Sequence, residues 1–361
     1  MTRESEPKVV VRSMIFVHRA PLKRRKSAID LKTLLVIKPA EQQWTYLGCT
    51  TEDNNITTST PGVTTTTATR PKPVVNDGSC GRPAIAPDLS TAKRRRIVGG
   101  KEAVEHSWPW QVKLHFELER RNDSVAFTTF CGGSIVSDRV IVTAAHCFDD
   151  KPQYRVVHKC IWVGIHNTAS EATKENCIPI ESLVKHESYD RNTVVNDIAI
   201  LTLKDPLEFS DRVSPVCLPT TARPENPDKC FTTGWGDTTI GGWPSNELRQ
   251  AVIAVQPDSV CLVDVENAVA KYGYDDRFEF RQSSMLCGYG SAAIGGEGRQ
   301  DACQGDSGGP LVCQQNDGSF QLFGVVSWGI ECGREDSPGV YARVTEYVNM
   351  IQNAIDKTGG L

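Results

Sequence analysis

The sequence from Ile97 onward predicts an all-β domain of antiparallel strands that ends in one α-helix. Short apolar runs alternate there with clusters of Gly, Pro, Asn and Asp, a texture typical of β-barrels and sandwiches. The runs are Val140–Ala145, Ile198–Leu203, Leu311–Cys313, Phe323–Trp328 and Gly339–Val344. A helix is predicted only near the C-terminus, where Val348, Ile351 and Ile355 repeat at helical spacing.

The composition excludes several classes of function. Of the 361 residues, 39% are hydrophobic and 23% are charged, as in ordinary globular proteins. The formal net charge of -4 gives no reason to expect a nucleic acid or an acidic membrane as partner. No apolar run approaches the roughly 20 residues that a membrane-spanning helix needs, so no membrane span is predicted.

The cysteines indicate an oxidising compartment. The chain has 13 of them, well separated and without a CxxC pair, which argues against a zinc module. Such spacing is typical of a disulfide framework in a secreted, extracellular protein. Because the total is odd, at least one cysteine is free or pairs with another chain.

The N-terminal quarter has a different composition. Residues 1–49 are basic and lack the uninterrupted apolar core of roughly 7–15 residues that a secretory signal needs. We therefore expect this region to be disordered or wrongly joined to the rest, the alternative being another export route. Residues 50–79 are rich in Thr and Pro and predict an extended linker. Asn55 and Asn122 each begin a glycosylation acceptor pattern.

Three local motifs carry the chemistry. They are Thr143–Cys147 (TAAHC), Asn196–Ala199 (NDIA) and Gly305–Pro310 (GDSGGP). A histidine or an aspartate alone is more often structural than catalytic. Together, in the order His, Asp, Ser, the three motifs favour a nucleophilic serine served by a histidine base.

Residues 97–361 resemble the chymotrypsin/trypsin family of serine proteases. The resemblance rests on IVGG at 97–100, WPWQV at 108–112, CGGSIV at 131–136, VCLP at 216–219, TGWG at 233–236, VSWG, PGVYARV and the three motifs above. It implies two antiparallel six-stranded β-barrels of the chymotrypsin type with a C-terminal α-helix, preceded by a disordered pro-region.

The resemblance implies a serine endopeptidase that works through an acyl-enzyme. Ser307 would attack the peptide carbonyl, His146 would act as general base, and Asp197 would orient the imidazole. The backbone N–H groups of Gly305 and Ser307 would form the oxyanion hole.

The primary specificity pocket follows from the same resemblance. Asp301, six residues before the serine, would lie at its base and favour substrates with Arg or Lys before the cut. Gly329 and Gly339 would leave the pocket open. Ser327 and Trp328, with Gly329, would pair with the substrate backbone as an added strand.

A polybasic run, KRRR, immediately precedes IVGG and implies activation by a cut after Arg96. The new α-ammonium of Ile97 would pair with Asp306 and order the pocket. Residues 80–96 would then be a tethered activation segment, and residues 97–361 the protease domain. An activating protease and protein inhibitors are the expected partners besides the substrate.

The family pattern implies five disulfides, and the two cysteines flanking the 163–176 loop are expected to form a sixth. The six pairs are Cys80–Cys217, Cys131–Cys147, Cys160–Cys177, Cys230–Cys313, Cys261–Cys287 and Cys303–Cys332. Cys49 is left over, to bridge to another chain or to belong to a wrongly joined N-terminus. Related proteases often bind calcium in this loop, but Ile165 replaces the first acidic ligand, so we expect no metal and no cofactor.

Three alternatives stay open at this stage. The first is a catalytically inactive, protease-like binding module, which normally lacks a member of the triad. The second is an enzyme with chymotrypsin-like or elastase-like preference, against which Asp301 argues. The third assigns the main role to the N-terminal region as an adhesive or regulatory module.

Overall fold

The computed structural model describes residues 78–90, 100–121, 126–238, 242–274, 278–291, 301–303, 305–330 and 332–359. Several sequence predictions fall outside these ranges and stay predictions. They concern the glycosylation of Asn55 and Asn122, the partner of Cys49 and the activation cut between Arg96 and Ile97.

The described residues form thirteen strands, three α-helices and two short 3₁₀-helices at Ala145–Phe148 and Val344–Glu346. The strands are β1 Lys101–Glu102, β2 Gln111–Arg120, β3 Ala126–Ile135, β4 Val140–Thr143, β5 Tyr154–Val163, β6 Ile180–Lys185, β7 Ala199–Leu203, β8 Cys230–Gly234, β9 Arg249–Val255, β10 Met285–Gly290, β11 Pro310–Gln314, β12 Phe320–Trp328 and β13 Gly339–Arg343. The α-helices are α1 Thr168–Glu171, α2 Asp258–Tyr272 and α3 Val348–Thr358.

The strands form two antiparallel barrels, which confirms the predicted fold class. The N-terminal sheet has six strands in the order β5-β2-β3-β4-β7-β6. The C-terminal sheet runs β9-β10-β13-β12-β11-β8 and closes because β8 also pairs with β9. The two-residue β1 adds a seventh strand at the edge of β9.

An aromatic cluster joins the two barrels. Trp108 and Trp110 lie just before β2, whereas Phe231 belongs to β8 and Phe320 to β12. The ring centroid of Trp108 lies 5.5 Å from that of Phe231 and 5.3 Å from that of Phe320. All four side chains are buried, so the two barrels share one apolar core.

The expectation of a single helix was wrong. The structure contains the fifteen-residue α2 and the one-turn α1 in addition to α3. In α2 the buried residues Cys261, Val265, Ala268 and Val269 follow helical spacing, but Leu262 and Val263 are apolar and half exposed. Apolar residues on both faces obscure the helical period, which explains the missed prediction.

The helical spacing predicts a C-terminal helix over Thr345–Ile355, and the observed helix, Val348–Thr358, lies three residues later. Val344–Glu346 forms a 3₁₀ turn, and the α-helix begins only at Val348. It docks through Ile351, which is fully buried. None of the helices within the described ranges is both long and apolar enough to cross a membrane.

Six disulfide bonds connect the described cysteines: Cys80–Cys217, Cys131–Cys147, Cys160–Cys177, Cys230–Cys313, Cys261–Cys287 and Cys303–Cys332. The first of them fastens the segment upstream of the predicted cut to the C-terminal barrel. Backbone hydrogen bonds support it, because Gly81 donates to Pro215 O at 2.9 Å and accepts from Phe320 N at 2.8 Å.

Candidate active site

His146 and Asp197 are brought together by the pairing of two neighbouring strands. His146 lies in the 3₁₀ turn that follows β4, and Asp197 lies two residues before β7. Because β4 and β7 pair through Thr143 and Ala199, the two side chains emerge side by side. His146 Nδ1 lies 2.7 Å from Asp197 Oδ2, and the backbone N–H of His146 donates to Oδ1 at 2.8 Å.

The Asp197 carboxylate is buried and fully engaged. Its side chain also accepts a hydrogen bond from Ser327 Oγ at 2.5 Å. Burial alone would raise the pKa of Asp197, but the charge and hydrogen bonds of His146 and the Ser327 bond outweigh it and hold the pKa below its usual value. An ionised Asp197 fixes the proton on Nδ1 of His146, so Nε2 is left as the basic nitrogen.

The same pair shifts the imidazole in the opposite direction. Burial lowers the pKa of His146, but the charge and hydrogen bond of Asp197 more than compensate, and the pKa ends above the ordinary 6.5. A histidine held in this way is a stronger base than a free one.

Ser307 lies against the strand that leads to His146. Its carbonyl accepts from the backbone N–H of Gly132 at 2.7 Å, and Gly132 O in turn accepts from Thr143 Oγ1 at 2.8 Å. Gly308 has a φ of +80°, and a Cβ there would lie 2.3 Å from Thr143 Oγ1, so only glycine fits. The disulfide Cys131–Cys147 links strand β3 to the 3₁₀ turn that contains His146.

The turn before Ser307 presents backbone donors. Gly305 has a φ of +97°, and a Cβ there would lie 2.5 Å from the Phe130 ring. Neither Gly305 N nor Ser307 N donates a hydrogen bond to another described residue. This arrangement suits a pair of N–H groups that bind a developing oxyanion.

Asp306, between these two residues, points away from them into the C-terminal barrel. Its Oδ1 accepts from Gly236 N at 2.8 Å and its Oδ2 from Cys303 N at 2.9 Å. Burial raises its pKa to about 6. The carboxylate faces a small cavity whose lining includes Thr233, Gly234, Gly236, Asp237, Arg249, Gln250 and Asp301.

Asp301 lines the same small cavity that Asp306 faces. Its Oδ2 accepts from Gly333 N at 3.1 Å, whereas its buried Oδ1 has no partner among the described residues. Burial raises its pKa to about 7. A Cβ on Gly339 would lie 2.9 Å from Oδ1, and one on Gly329 would lie 4.0 Å from Gly339 Cα. Glycines at both positions therefore keep the approach to Asp301 open.

The structure adds two residues that the sequence did not single out. The Tyr341 hydroxyl is buried beside Gly339 without a hydrogen bond in the described part of the chain. The Lys113 ammonium lies 3.9 Å from the centroid of the Phe130 ring and acts electrostatically on Asp306. Its only sequence signal was a lysine between apolar residues of β2.

Ser327 and Trp328 also differ from the expectation in part. Ser327 was expected only to pair with substrate through its backbone, but its hydroxyl donates to Asp197. The centroid of the Trp328 ring lies 5.5 Å from that of the Phe278 ring, and Trp328 lies in the C-terminal barrel next to Gly329. Both side chains are buried.

Metal-ligating side chains come together in three places among the described residues. Two of these groups include the disulfides Cys131–Cys147 and Cys160–Cys177, whose sulfurs are oxidised and are not thiolate ligands. The third comprises Glu105, His106 and Glu171 and is separate from the triad.

Two antiparallel β-barrels, with a His146–Asp197 pair and with Ser307 next to the strands that precede His146, are typical of the trypsin-like serine proteases. The chain belongs to the trypsin family, whose family model, described as Trypsin, matches residues 97–351.

Two curated relatives illustrate the similarity. Coagulation factor XI of Bos taurus is 33% identical over 273 residues, which cover 75% of this chain and 39% of that protein. Transmembrane protease serine 11G of Rattus norvegicus is 36% identical over 261 residues, which cover 72% of this chain and 55% of that protein. The matched part of the chain thus spans between about two fifths and just over half of these relatives.

Proposed function

We propose that the protein is the zymogen of a serine endopeptidase that cuts after Arg or Lys. The observation that carries this proposal is the hydrogen-bonded pair His146–Asp197 beside Ser307, with the unpartnered oxygen of Asp301 in a nearby pocket. Family membership supports the reaction class, and the pocket supports the specificity.

The proposed reaction has two halves, acylation of Ser307 and deacylation, and His146 transfers protons in both. Ser307 Oγ attacks the carbonyl carbon while His146 Nε2 accepts the hydroxyl proton. The carbonyl oxygen becomes an oxyanion that the N–H groups of Gly305 and Ser307 bind. His146 then gives its proton to the departing amine, and the acyl-enzyme remains. Water, activated by His146, releases the acid in the second half and restores the serine.

The preference for Arg or Lys is supported by the electrostatics of Asp301. A buried carboxylate without a counterion is costly, and its raised pKa is the measure of that cost. A guanidinium or ammonium that enters between Gly329 and Gly339 satisfies Oδ1 and restores the ionised form. An apolar side chain leaves the oxygen unpaired.

Activation by a cut after Arg96 is supported by the position of Gly100. Its carbonyl accepts from Arg249 Nη2 at 2.8 Å, and β1 continues along β9 from there. Ile97 lies three positions before Gly100, a length of chain that can span roughly 10 Å. Arg249 and Gln250 also line the cavity that Asp306 faces, so an α-ammonium at Ile97 has a carboxylate within reach.

We also propose that the protein is secreted and acts in a regulated cascade. Six disulfides among the described residues fit an oxidising compartment, and the acceptor patterns at Asn55 and Asn122 fit glycosylation of a secreted protein. A separate activating protease and protein inhibitors are the partners that such an enzyme requires.

The test is hydrolysis of an Arg-terminated chromogenic peptide before and after a cut at Arg96. A Phe-terminated peptide tests specificity, and Ser307→Ala is the matched control. We expect activity only after the cut, only on the Arg peptide and not in the control. A cut, folded protein that hydrolyses neither peptide would refute the proposal and favour a binding module.

A further inference from the structure

Glu105, His106 and Glu171 form a compact group away from the triad. One potential ligand atom from each residue lies within 4.8 Å of the other two. The His106 side chain is only 5% exposed, whereas Glu105 is open to solvent. The group thus combines a buried imidazole nitrogen, from His106, with a carboxylate that is open to solvent, from Glu105.

Three buried ring nitrogens in this region have no hydrogen-bond partner among the described residues. Neither ring nitrogen of His106 makes a hydrogen bond with a described residue, although Nε2 lies 3.2 Å from Glu105 Oε1. The Nδ1 atom of the neighbouring His166 is also buried and unsatisfied. The two rings meet edge to face, with centroids 6.5 Å apart. Unsatisfied buried nitrogens are rare in native proteins and indicate a missing partner such as an ion.

The third ligand is fixed in place by the backbone. Glu171 Oε2 accepts from His166 N at 2.7 Å and from Asn167 N at 2.6 Å. These bonds hold the carboxylate toward His106 and leave its other oxygen for a ligand. Glu102 adds a further negative charge near His166. Burial, and next the charge of Arg212, lower the pKa of His106, which favours the neutral imidazole that binds a metal ion.

We propose that Glu105, His106 and Glu171 bind a Zn²⁺ ion through the imidazole and the two carboxylates. One nitrogen and two oxygen donors suit tetrahedral zinc with a water as the fourth ligand. Calcium, in contrast, takes six to eight oxygen ligands and does not favour imidazole. The site also differs from a calcium loop. Ile165 stands where such a loop has its first acidic ligand, and its side chain is buried in the core of the barrel.

The ion would connect two segments that matter for activation. His106 follows Ile97 by nine residues, and Glu171 belongs to the loop closed by Cys160–Cys177. The same loop is bonded to the C-terminal barrel, since Trp235 Nε1 donates to His166 O at 2.9 Å. Gly236, the next residue, holds Asp306.

The experiment is calorimetric titration of the full chain, as Ser307→Ala, with zinc chloride. We expect one Zn²⁺ per chain, and visible absorption bands of tetrahedral geometry when Co²⁺ replaces it. His106→Asn removes the imidazole while keeping a residue that tolerates the φ of +57°. It should weaken Zn²⁺ binding at least about tenfold and abolish the Co²⁺ bands, because loss even of an outer-shell partner typically costs 10–100-fold.

Two further variants make the result unambiguous. Glu171→Gln keeps a backbone-accepting oxygen but removes the charge, and it should weaken binding similarly. His158→Asn, an exposed histidine outside the group, should bind as the parent does. If the parent binds no Zn²⁺ stoichiometrically, or if Glu171→Gln and a folded His106→Asn bind as tightly as the parent, the site assignment is wrong. If His106→Asn does not fold, Glu171→Gln alone decides.

Discussion

Asp301 and Asp306 are two buried carboxylates five residues apart, and their surroundings differ. Asp306 is bonded through both oxygens, whereas Asp301 has one oxygen without a partner in the described chain. Burial raises the pKa of both. This difference supports the proposal that Asp301, and not Asp306, binds the cationic side chain of a substrate.

Asp301→Asn tests the ligand role at nearly constant shape. We expect kcat/KM for an Arg-terminated peptide to fall by about 10²- to 10⁴-fold, because breaking a buried ion pair costs about 3–5 kcal/mol. Hydrolysis of a thiobenzyl ester lacking a cation should change little, and this ester is the control for folding and triad function. An equal loss on both substrates would show that Asp301 acts on the catalytic machinery instead.

Lys113 is a charged side chain that the fold keeps out of water. Burial lowers its pKa to about 7, and the Asp306 charge only partly opposes this. Because the folded pKa lies below the unfolded value near 10.5, the unfolded chain binds more protons between these limits. The contribution of Lys113 to the free energy of unfolding therefore rises as the pH increases from about 7 to 10.

Lys113→Met should remove that pH dependence. We expect the variant to be more stable than its parent by about 1–4 kcal/mol below pH 7, with the difference shrinking toward pH 10. The free energy of unfolding in urea, measured on Ser307→Ala proteins, checks this. A variant that is destabilised at every pH would mean that the ammonium contributes net favourable contacts with Phe130.

Strands were predicted well where a continuous apolar run is buried on both faces of the sheet. The run Ile198–Leu203 became β7 and Leu311–Cys313 became part of β11, since these strands are buried. Val140–Ala145 gave a shorter β4, because the chain turns at Ala145 to carry His146. The helix α2 was missed because its exposed face is apolar too.

The loop between Cys160 and Cys177 offers an element-scale test. Its ends are joined by a disulfide with a sequence separation of 17. Cys160→Ala with Cys177→Ala should lower the free energy of unfolding by about 2–4 kcal/mol, because the reduced unfolded chain regains loop entropy. Urea titration of the double variant measures it. An unchanged unfolding free energy would show that α1 and its Asn167 cap hold the loop without the disulfide.

At the scale of the whole molecule, the proposed catalytic residues depend on contacts between distant segments. Motifs identified His146, Asp197 and Ser307 from local sequence alone. The contact between His146 and Asp197, 51 residues apart, follows from strand pairing that no local pattern specifies. The Ser327 hydroxyl bond and the Lys113 position escaped prediction for the same reason.

The aromatic cluster predicts that the two barrels unfold together. Phe320→Ala removes a buried ring that contacts Trp108, Trp110 and Phe231. We expect a loss of about 3–5 kcal/mol and one transition in both tryptophan fluorescence and far-ultraviolet circular dichroism. Phe209→Ala is the matched control, because Phe209 is 40% exposed and should change stability by less than about 0.5 kcal/mol. Two separated transitions would contradict a shared core.

The Cys80–Cys217 bond has a consequence for the proposed cut after Arg96. After such a cut, residues 1–96 would stay covalently attached to the protease domain. A surface that binds the upstream region would then also hold the protease domain, and the covalent tether would raise its effective concentration there. The proposed cleavage would be concentrated on proteins next to that surface, and reduction of this one disulfide would release the protease domain.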